Sequence, residues 1–349
     1  MKKKLWVIVL CAIWAAAAVT GAVLLWTGSI DRVDISENTT EVTTQTTTLP
    51  PETEVATVPE TTEVTVPETT EPTVPETEEI YPTLPEGVEL TASYGFVYDL
   101  GSGTTLYGGE GLDGRIYPAS ITKLFTAIVA LEYMDPEAVI TAGDELEMVE
   151  EDSSVAYIEK GHRITVSMLI EGMLLPSGND AAYVLAAGVG RTVSENANMS
   201  AEEAVQYFVD LMNINARFYR LSGTHFTNPD GYHAEDHYTT SRDLITIAQL
   251  SLEDTVICGF AGRAEDSVTY ASGQSNRWKN TNLLLHPDSE YYCDTAQGLK
   301  TGYTGAAGNC LLSAFLVEER YVVIGVFGST DYYDRFTDTL QLYEVFVEA

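Results

Sequence analysis

Between Asp31 and Glu86 the chain lacks the composition needed to fold. Thr, Pro, Glu and Val dominate, and no aromatic residue occurs there before Tyr81. Val58-Pro59-Glu60-Thr61-Thr62-Glu63 returns as Val66-Pro67-Glu68-Thr69-Thr70-Glu71 and, altered, as Val74-Pro75-Glu76-Thr77-Glu78-Glu79, a spacing of 8 residues. Such a segment buries too little apolar surface to offset its chain entropy. Proline and like charges favour extended polyproline paths of about 3.1 Å per residue, so roughly 55 residues reach on the order of 100 Å. The expected division is a tail at 1–4, an apolar span at 5–26, a disordered linker at 27–87, and one sizeable domain at 88–349.

Lys2-Lys3-Lys4 precede a run from Leu5 to Trp26 that has no charged residue. About 20 apolar residues span a bilayer as a helix, whereas a cleaved signal usually has an apolar region of about 7–15. The lysines mark the cytoplasmic side. The expectation is a single-pass signal-anchor with the domain outside the cell membrane; cleavage among the small residues Ala15–Ala22 is the rival.

The chain of 349 residues carries a formal charge of −34, and residues 88–349 hold 38 acidic against 14 basic side chains. That excludes nucleic acid as a partner, since phosphate contacts need basic patches. It does not exclude a small anionic substrate, whose binding depends on local charge. Cys258, Cys293 and Cys310 lie outside the apolar run. Pairing of Cys293 with Cys310 and buried free thiols are equally open readings.

Within the domain, Ser93–Asp99 and Thr104–Tyr107 read as a hairpin about the turn Gly101-Ser102-Gly103. Helices are predicted over Pro118–Tyr133 with Leu124, Ile128 and Leu131 inward, and over Val166–Leu175, Asp180–Ala187 and Asp243–Leu252. Another covers Ala204–Tyr219, with Phe208, Leu211, Met212 and Phe218 as core. Gly298–Tyr303, Cys310–Val317 and Tyr321–Phe327 read as strands, followed by a helix from Asp334 to Val347. Strands at both ends with helices between imply one mixed or antiparallel sheet covered by helices.

Three short motifs carry chemistry. In Ser120-Ile121-Thr122-Lys123, serine and lysine sit one helical turn apart on one face. A serine hydroxyl needs a base to become a nucleophile. Lysine serves when desolvation and a neighbouring cation lower its pKa, and Lys300 is the candidate cation. Ser177-Gly178-Asn179 offers a hydroxyl to relay a proton and a carboxamide to hold a peptide group; a helix N-cap is the plainer reading, and both can hold. Lys300-Thr301-Gly302 on a predicted edge strand offers donors to a carboxylate and, at Gly302, room for a substrate backbone. The N–H groups of Ser120 and Tyr303 are candidates for an oxyanion hole. Arg335 is either a further carboxylate anchor or a surface partner of Asp331 or Asp334. His233 and His237 are four apart as in zinc helices, but the Glu those motifs need is missing, and Pro229 and Gly231 argue for a loop. Neither metal nor cofactor is expected.

These motifs, as Pro118-Ala119-Ser120-Ile121-Thr122-Lys123, Ser177-Gly178-Asn179-Asp180-Ala181-Ala182 and Gly298-Leu299-Lys300-Thr301-Gly302, resemble those of the serine D-alanyl-D-alanine carboxypeptidases, the low-molecular-weight penicillin-binding proteins. Met212-Asn213, Thr224 to Pro229 and Tyr238 to Asp243 add to the likeness, which runs from about Leu90 to Val345. The resemblance implies an α+β fold of the β-lactamase/transpeptidase type, with a mostly antiparallel central sheet covered by helices on both faces. It implies that Ser120 is acylated, Lys123 is its base and Ser177 relays protons. Asn179 would hold the substrate amide, and Lys300 with Thr301 its terminal carboxylate. Peptidoglycan stem pentapeptides would be the substrate and β-lactams covalent inhibitors. An endopeptidase that cuts cross-links shares these motifs. A β-lactamase is disfavoured because no Glu-x-x-Leu-Asn segment follows Ser177, and a non-enzymatic wall sensor is disfavoured by the intact Ser120, Lys123 and Lys300. Where the family often has His-Gly-Leu, this chain has Asp230-Gly231-Tyr232, a difference expected to lie away from the site. The N-terminal apolar run is expected to replace the C-terminal anchor helix of other members.

Overall fold

The computed structural model describes residues 81–109 and 111–348. The predicted tail, membrane span and all but the last residues of the linker lie outside them. Tyr94–Asp99 forms strand β1, with Gly95, Phe96 and Val97 all buried, and Thr104–Tyr107 forms strand β2. Their turn is the Gly-x-Gly, with Gly103 at φ +69, a left-handed conformation that glycine takes without steric cost. Tyr81 and Leu84, expected in the linker, pack against this domain.

Strand β3 (Arg115–Ile116) leads into a 3-10 turn at Ala119–Ile121 and then helix α1, Thr122–Tyr133. Ser120 is thus on the turn ahead of the helix, not in its first turn. Thr122 through Ala130 are all buried, so α1 is a core helix rather than one with a single inner face. Strands β4 (Val139–Thr141) and β5 (Arg163–Thr165) pair, followed by α2 (Val166–Leu174) and α3 (Asn179–Val193). Helix α4, Ala201–Phe218, opens on a capping box between Ser200 and Glu203. Phe208, Leu211 and Met212 are buried as expected, but Phe218 is 76% exposed. It closes the helix where the chain turns away, and its ring rests edge-on against Tyr219.

Strand β6 (Thr239–Thr240) pairs with β3 and precedes α5 (Ser241–Glu253). The short strands β3 to β6 had no predicted counterpart, and neither did α6 (Thr255–Ala261) or the hairpin of β7 (Glu265–Thr269) and β8 (Ser275–Lys279). A helix of seven residues is too short to show a period; its start is fixed by Asp254, whose carboxylate accepts the N–H groups of Val256 and Ile257. The hairpin strands bury mainly Val268 and Trp278, which leaves little alternation to read.

Strands β9 (Ala296–Thr304), β10 (Gly308–Val317) and β11 (Arg320–Ser329) complete the main sheet, and α7 (Asp334–Tyr343) follows. Beyond Tyr343 the chain winds as a π turn to Glu348. The sheet order is β2-β1-β11-β10-β9, every ladder antiparallel. Phe96 sits opposite Gly325, where an added Cβ would lie 2.3 Å from the Phe96 ring. Leu299, Leu312, Ala314 and Val323 join the core built by α1 to α6. Leu311, Phe315, Val322 and Ile324 pack on Phe336 and Leu342 of α7. Burial on both faces explains the nearly continuous apolar run of β10, and the architecture is α+β with helices on both faces.

Cys258, Cys293 and Cys310 are free thiols. Cys310 is buried in β10 with its Sγ 3.5 Å from the Ala307 carbonyl, while Cys293 meets Thr295 instead. Among the described residues no single helix is long and apolar enough to cross a membrane.

Candidate active site

The three motifs meet in one cleft of about 410 Å³. Ser120, Ser177, Asn179, Thr301, Gly302, Tyr303 and Arg335 line it, with Asp152, Ser153, Ser154, Tyr232, His233, Thr281 and Tyr332. Lys123 and Lys300 lie behind this lining, 0% and 1% exposed.

Lys123 Nζ is 2.7 Å from Ser120 Oγ and donates to the Asp230 carbonyl at 2.8 Å. Burial lowers the Lys123 pKa to about 8, against the opposing charges of Asp230 and Asp180. Burial also drives Lys300 well below the lysine range, and the charges of Lys123 and Arg335 push it further. Desolvation is thus the largest cause at both amines, ahead of the neighbouring charges. With a pKa of about 8, Lys123 reaches its neutral form in growing fraction as the pH rises through 7 to 8.

Two backbone conformations present the hydroxyls. Ala119 at φ 48 and Ser177 at φ 63 occupy the left-handed region, which is uncommon for residues with a Cβ. Ser177 is not a helix cap: Gly178 holds that position, and no side-chain cap hydrogen bond is made there. Asn179 donates its amide N–H to the Ser154 carbonyl at 2.8 Å and its Nδ2 to Ser153 Oγ at 2.9 Å. The buried Asp180 carboxylate accepts the N–H groups of Ala156 at 2.7 Å and Ile158 at 2.8 Å, which ties segment 153–158 to α3. Trp278 Nε1 and Asn276 Nδ2 of the unpredicted hairpin both donate to the Ala156 carbonyl at 3.0 Å.

On β9, Lys300 Nζ reaches the Thr301 carbonyl at 3.1 Å, and Thr301 Oγ1 is 2.6 Å from Thr281 Oγ1. A Cβ on Gly302 would meet Ala119 Cβ and the Pro118 carbonyl at 3.0 Å. Gly302 lines the cleft, and its missing Cβ also sets the approach of β9 to the serine turn. Tyr303 projects 63% exposed at the mouth of the cleft.

Arg335 is buried in the first turn of α7, and forms neither of the ion pairs proposed for it with Asp331 or Asp334. Its guanidinium donates to the Gly302 carbonyl and the Tyr332 carbonyl, each at 2.9 Å, and stacks over the Tyr332 ring. It straps β9 to α7 and puts a fixed positive charge beside the cleft.

Asp230-Gly231-Tyr232 does not lie away from the site. The Asp230 carbonyl holds Lys123, and an ideal Cβ on Gly231, at φ +86, would fall 1.9 Å from the Ala119 carbonyl. Tyr232 lines the cleft and donates its hydroxyl to Asp152 at 3.2 Å. His237 is buried: Nε2 is 2.8 Å from Thr122 Oγ1, Nδ1 accepts the Thr227 N–H, and burial lowers its pKa to about 3. His233 instead meets Tyr117 edge-on, on a loop as predicted.

The model of the D-alanyl-D-alanine carboxypeptidase family, peptidase family S11, matches residues 81–330. A D-alanyl-D-alanine carboxypeptidase of Bacillus subtilis is 30% identical over 66% of this chain, a match spanning 55% of that protein. The Streptomyces strain K15 D-alanyl-D-alanine carboxypeptidase is 32% identical over 72% of this chain and 86% of its own length. The crystal structure titled Streptomyces K15 DD-transpeptidase superposes with a TM-score of 0.67 and 29% identity, over 75% of this chain and 99% of that one. A match of this extent places the cleft in a known lineage: the chain belongs to the D-alanyl-D-alanine carboxypeptidase family.

Proposed function

We propose that the chain is a serine D-alanyl-D-alanine carboxypeptidase that removes the terminal D-Ala from peptidoglycan stem pentapeptides. The observation that carries this reading is the 2.7 Å contact of Lys123 Nζ with Ser120 Oγ in a cleft shared with the Lys300–Tyr303 strand. The names of the relatives fit it, and do not favour the endopeptidase or β-lactamase alternatives.

Neutral Lys123 takes the Ser120 proton as Oγ attacks the carbonyl carbon of the D-Ala–D-Ala bond. The N–H groups of Ser120 and Tyr303 receive the oxyanion. Ser177 passes the proton to the departing amine, the C–N bond breaks, and D-Ala leaves. Water then attacks the ester, one of its protons returning to Ser120 Oγ through Lys123. Lys300 and Thr301 hold the substrate carboxylate, and Asn179 its peptide group. Gly302 sets the fit between strand and serine turn. Arg335 supports that wall through the Gly302 carbonyl and adds positive charge. A β-lactam acylates Ser120 in the same way, but its amine stays tethered and the ester persists. The apolar run 5–26 would hold residues 88–349 on the outer side of the cell membrane, with residues 27–87 as the reach into the wall.

The test is D-alanine release by the full-length protein from a peptide ending in D-Ala-D-Ala, beside its Ser120→Ala variant. Release by the wild type alone supports the reading; equal release by the variant removes Ser120 from the mechanism.

A further inference from the structure

Among the described residues that line the cleft, Asp152 is the one acidic side chain and Arg335 the one fixed cation. Arg335 donates to the Gly302 carbonyl, on the strand that offers Lys300 and Thr301 to a carboxylate. Asp152 belongs to the other wall. It stands one residue ahead of Ser153, whose Oγ accepts a hydrogen bond from Asn179 Nδ2 at 2.9 Å. The Ser153 N–H closes a turn on the Glu150 carbonyl at 3.1 Å, and the Tyr232 hydroxyl reaches Asp152 Oδ1 at 3.2 Å from a distant segment. Among the described residues no lysine, arginine or histidine forms an ion pair with Asp152. An exposed aspartate is ordinarily a solvated surface charge. This one is held on two sides and opens into the substrate cleft.

We propose that Asp152 is a specificity-determining residue, which selects substrates that carry a primary ammonium on the side chain just upstream of D-Ala-D-Ala. The proposal rests on the carboxypeptidase reading, because that reading fixes the direction of the peptide. The terminal carboxylate lies at Lys300 and Thr301, and the scissile carbonyl at Ser120. Asn179 then receives the next peptide group upstream. Ser153 backs the Asn179 carboxamide, and Asp152 adjoins Ser153. The first side chain upstream of the penultimate D-Ala is therefore the one that meets the Asp152 carboxylate. Negative charge at the peptide terminus faces the cationic strand, and positive charge upstream faces the acidic side, so the two together fix the register of the substrate. A water-exposed carboxylate in contact with an ammonium favours the charged substrate by about three- to tenfold.

The experiment compares kcat/KM for D-alanine release by the full-length protein from Nα-acetyl-Lys-D-Ala-D-Ala and from the same peptide acetylated or succinylated at Nε. It is run on wild type, Asp152→Asn and Asp152→Lys. The wild type should favour the free amine over the Nε-acetyl peptide by about three- to tenfold. Asp152→Asn should bring that ratio close to one, and Asp152→Lys should put the succinyl peptide first. A wild-type ratio of one overturns the proposal and leaves the carboxypeptidase reading standing. So does a preference that survives in Asp152→Asn, which would belong to the overall negative charge of the protein, or an unreversed ranking in Asp152→Lys. Loss of release from all three peptides in both variants also overturns it, by making Asp152 a structural part of the turn. A wild type that releases D-alanine from none of the peptides overturns the carboxypeptidase reading itself, and this proposal with it.

Discussion

The two walls of the cleft are built by different means. The strand wall is held by a repeating ladder: Lys300 faces Leu312, Thr301 faces Leu311, Gly302 faces Cys310 and Tyr303 faces Asn309. The wall that carries Ser120, Lys123, Ser177 and Asn179 has no ladder. Its parts are joined by a few specific bonds between distant segments, such as Lys123 to Asp230 and Ala156 to Asp180. A ladder spreads a local loss over its neighbours, whereas a single bond from a buried charge leaves that charge exposed to the full desolvation cost. Damage should therefore be graded on the strand wall and abrupt on the serine wall.

The largest expected effect is on the serine wall. Lys123→Ala should slow penicillin acylation by roughly 10²–10⁴-fold, the span of general base catalysis. In the wild type the burial-lowered pKa of about 8 makes the rate climb through neutral pH and level off above 8, as the amine loses its proton. A profile flat from pH 5 to 9 would remove Lys123 as the base. On the strand wall, Lys300→Ala should cost about 2–5 kcal/mol in kcat/KM for a peptide ending in a free carboxylate. The same variant should lose much less with a substrate amidated at that end; equal losses on both would mean that Lys300 does not hold the carboxylate.

Asp180→Asn removes charge from three main-chain bonds on the serine wall and should lower stability by about 1–3 kcal/mol in urea unfolding. Acylation should slow with it, because segment 153–158 positions Asn179; unaffected acylation would uncouple that segment from the site. Trp278→Phe should have the smallest effect. It loses one donor to the Ala156 carbonyl, which Asn276 continues to bond, so about 0.5–1.5 kcal/mol of stability is at stake.

The same contrast explains what could be read in advance. Strands β9, β10 and β11 were legible because apolar runs and alternation have a period, and the three motifs announced their side-chain chemistry. The loop carrying Asp230 to His233 was not legible as part of the site, because no local pattern records that a residue 107 positions on will bond Lys123. Segment 153–158 was missed for the same reason: its place depends on Asp180 and on a hairpin whose strands bury only two apolar side chains. Arg335 was located correctly at the start of the last helix, yet its partners are carbonyls of neighbouring elements, which charge patterning cannot reveal. Gly302, singled out for closeness to a substrate, lines the cleft and also lies close to the serine turn, a contact that only the crossing of two distant segments decides.

In the proposed chemistry Ser120 is the nucleophile and Lys123 its base. The most direct measurement is intact-mass and peptide-mapping analysis of the full-length protein after exposure to benzylpenicillin at pH 8, for wild type, Ser120→Ala and Lys123→Ala. The expected result is one penicilloyl adduct per wild-type chain, located on Ser120, none on Ser120→Ala, and a far slower one on Lys123→Ala. An adduct on another residue, or one that forms at the wild-type rate without Lys123, would contradict it.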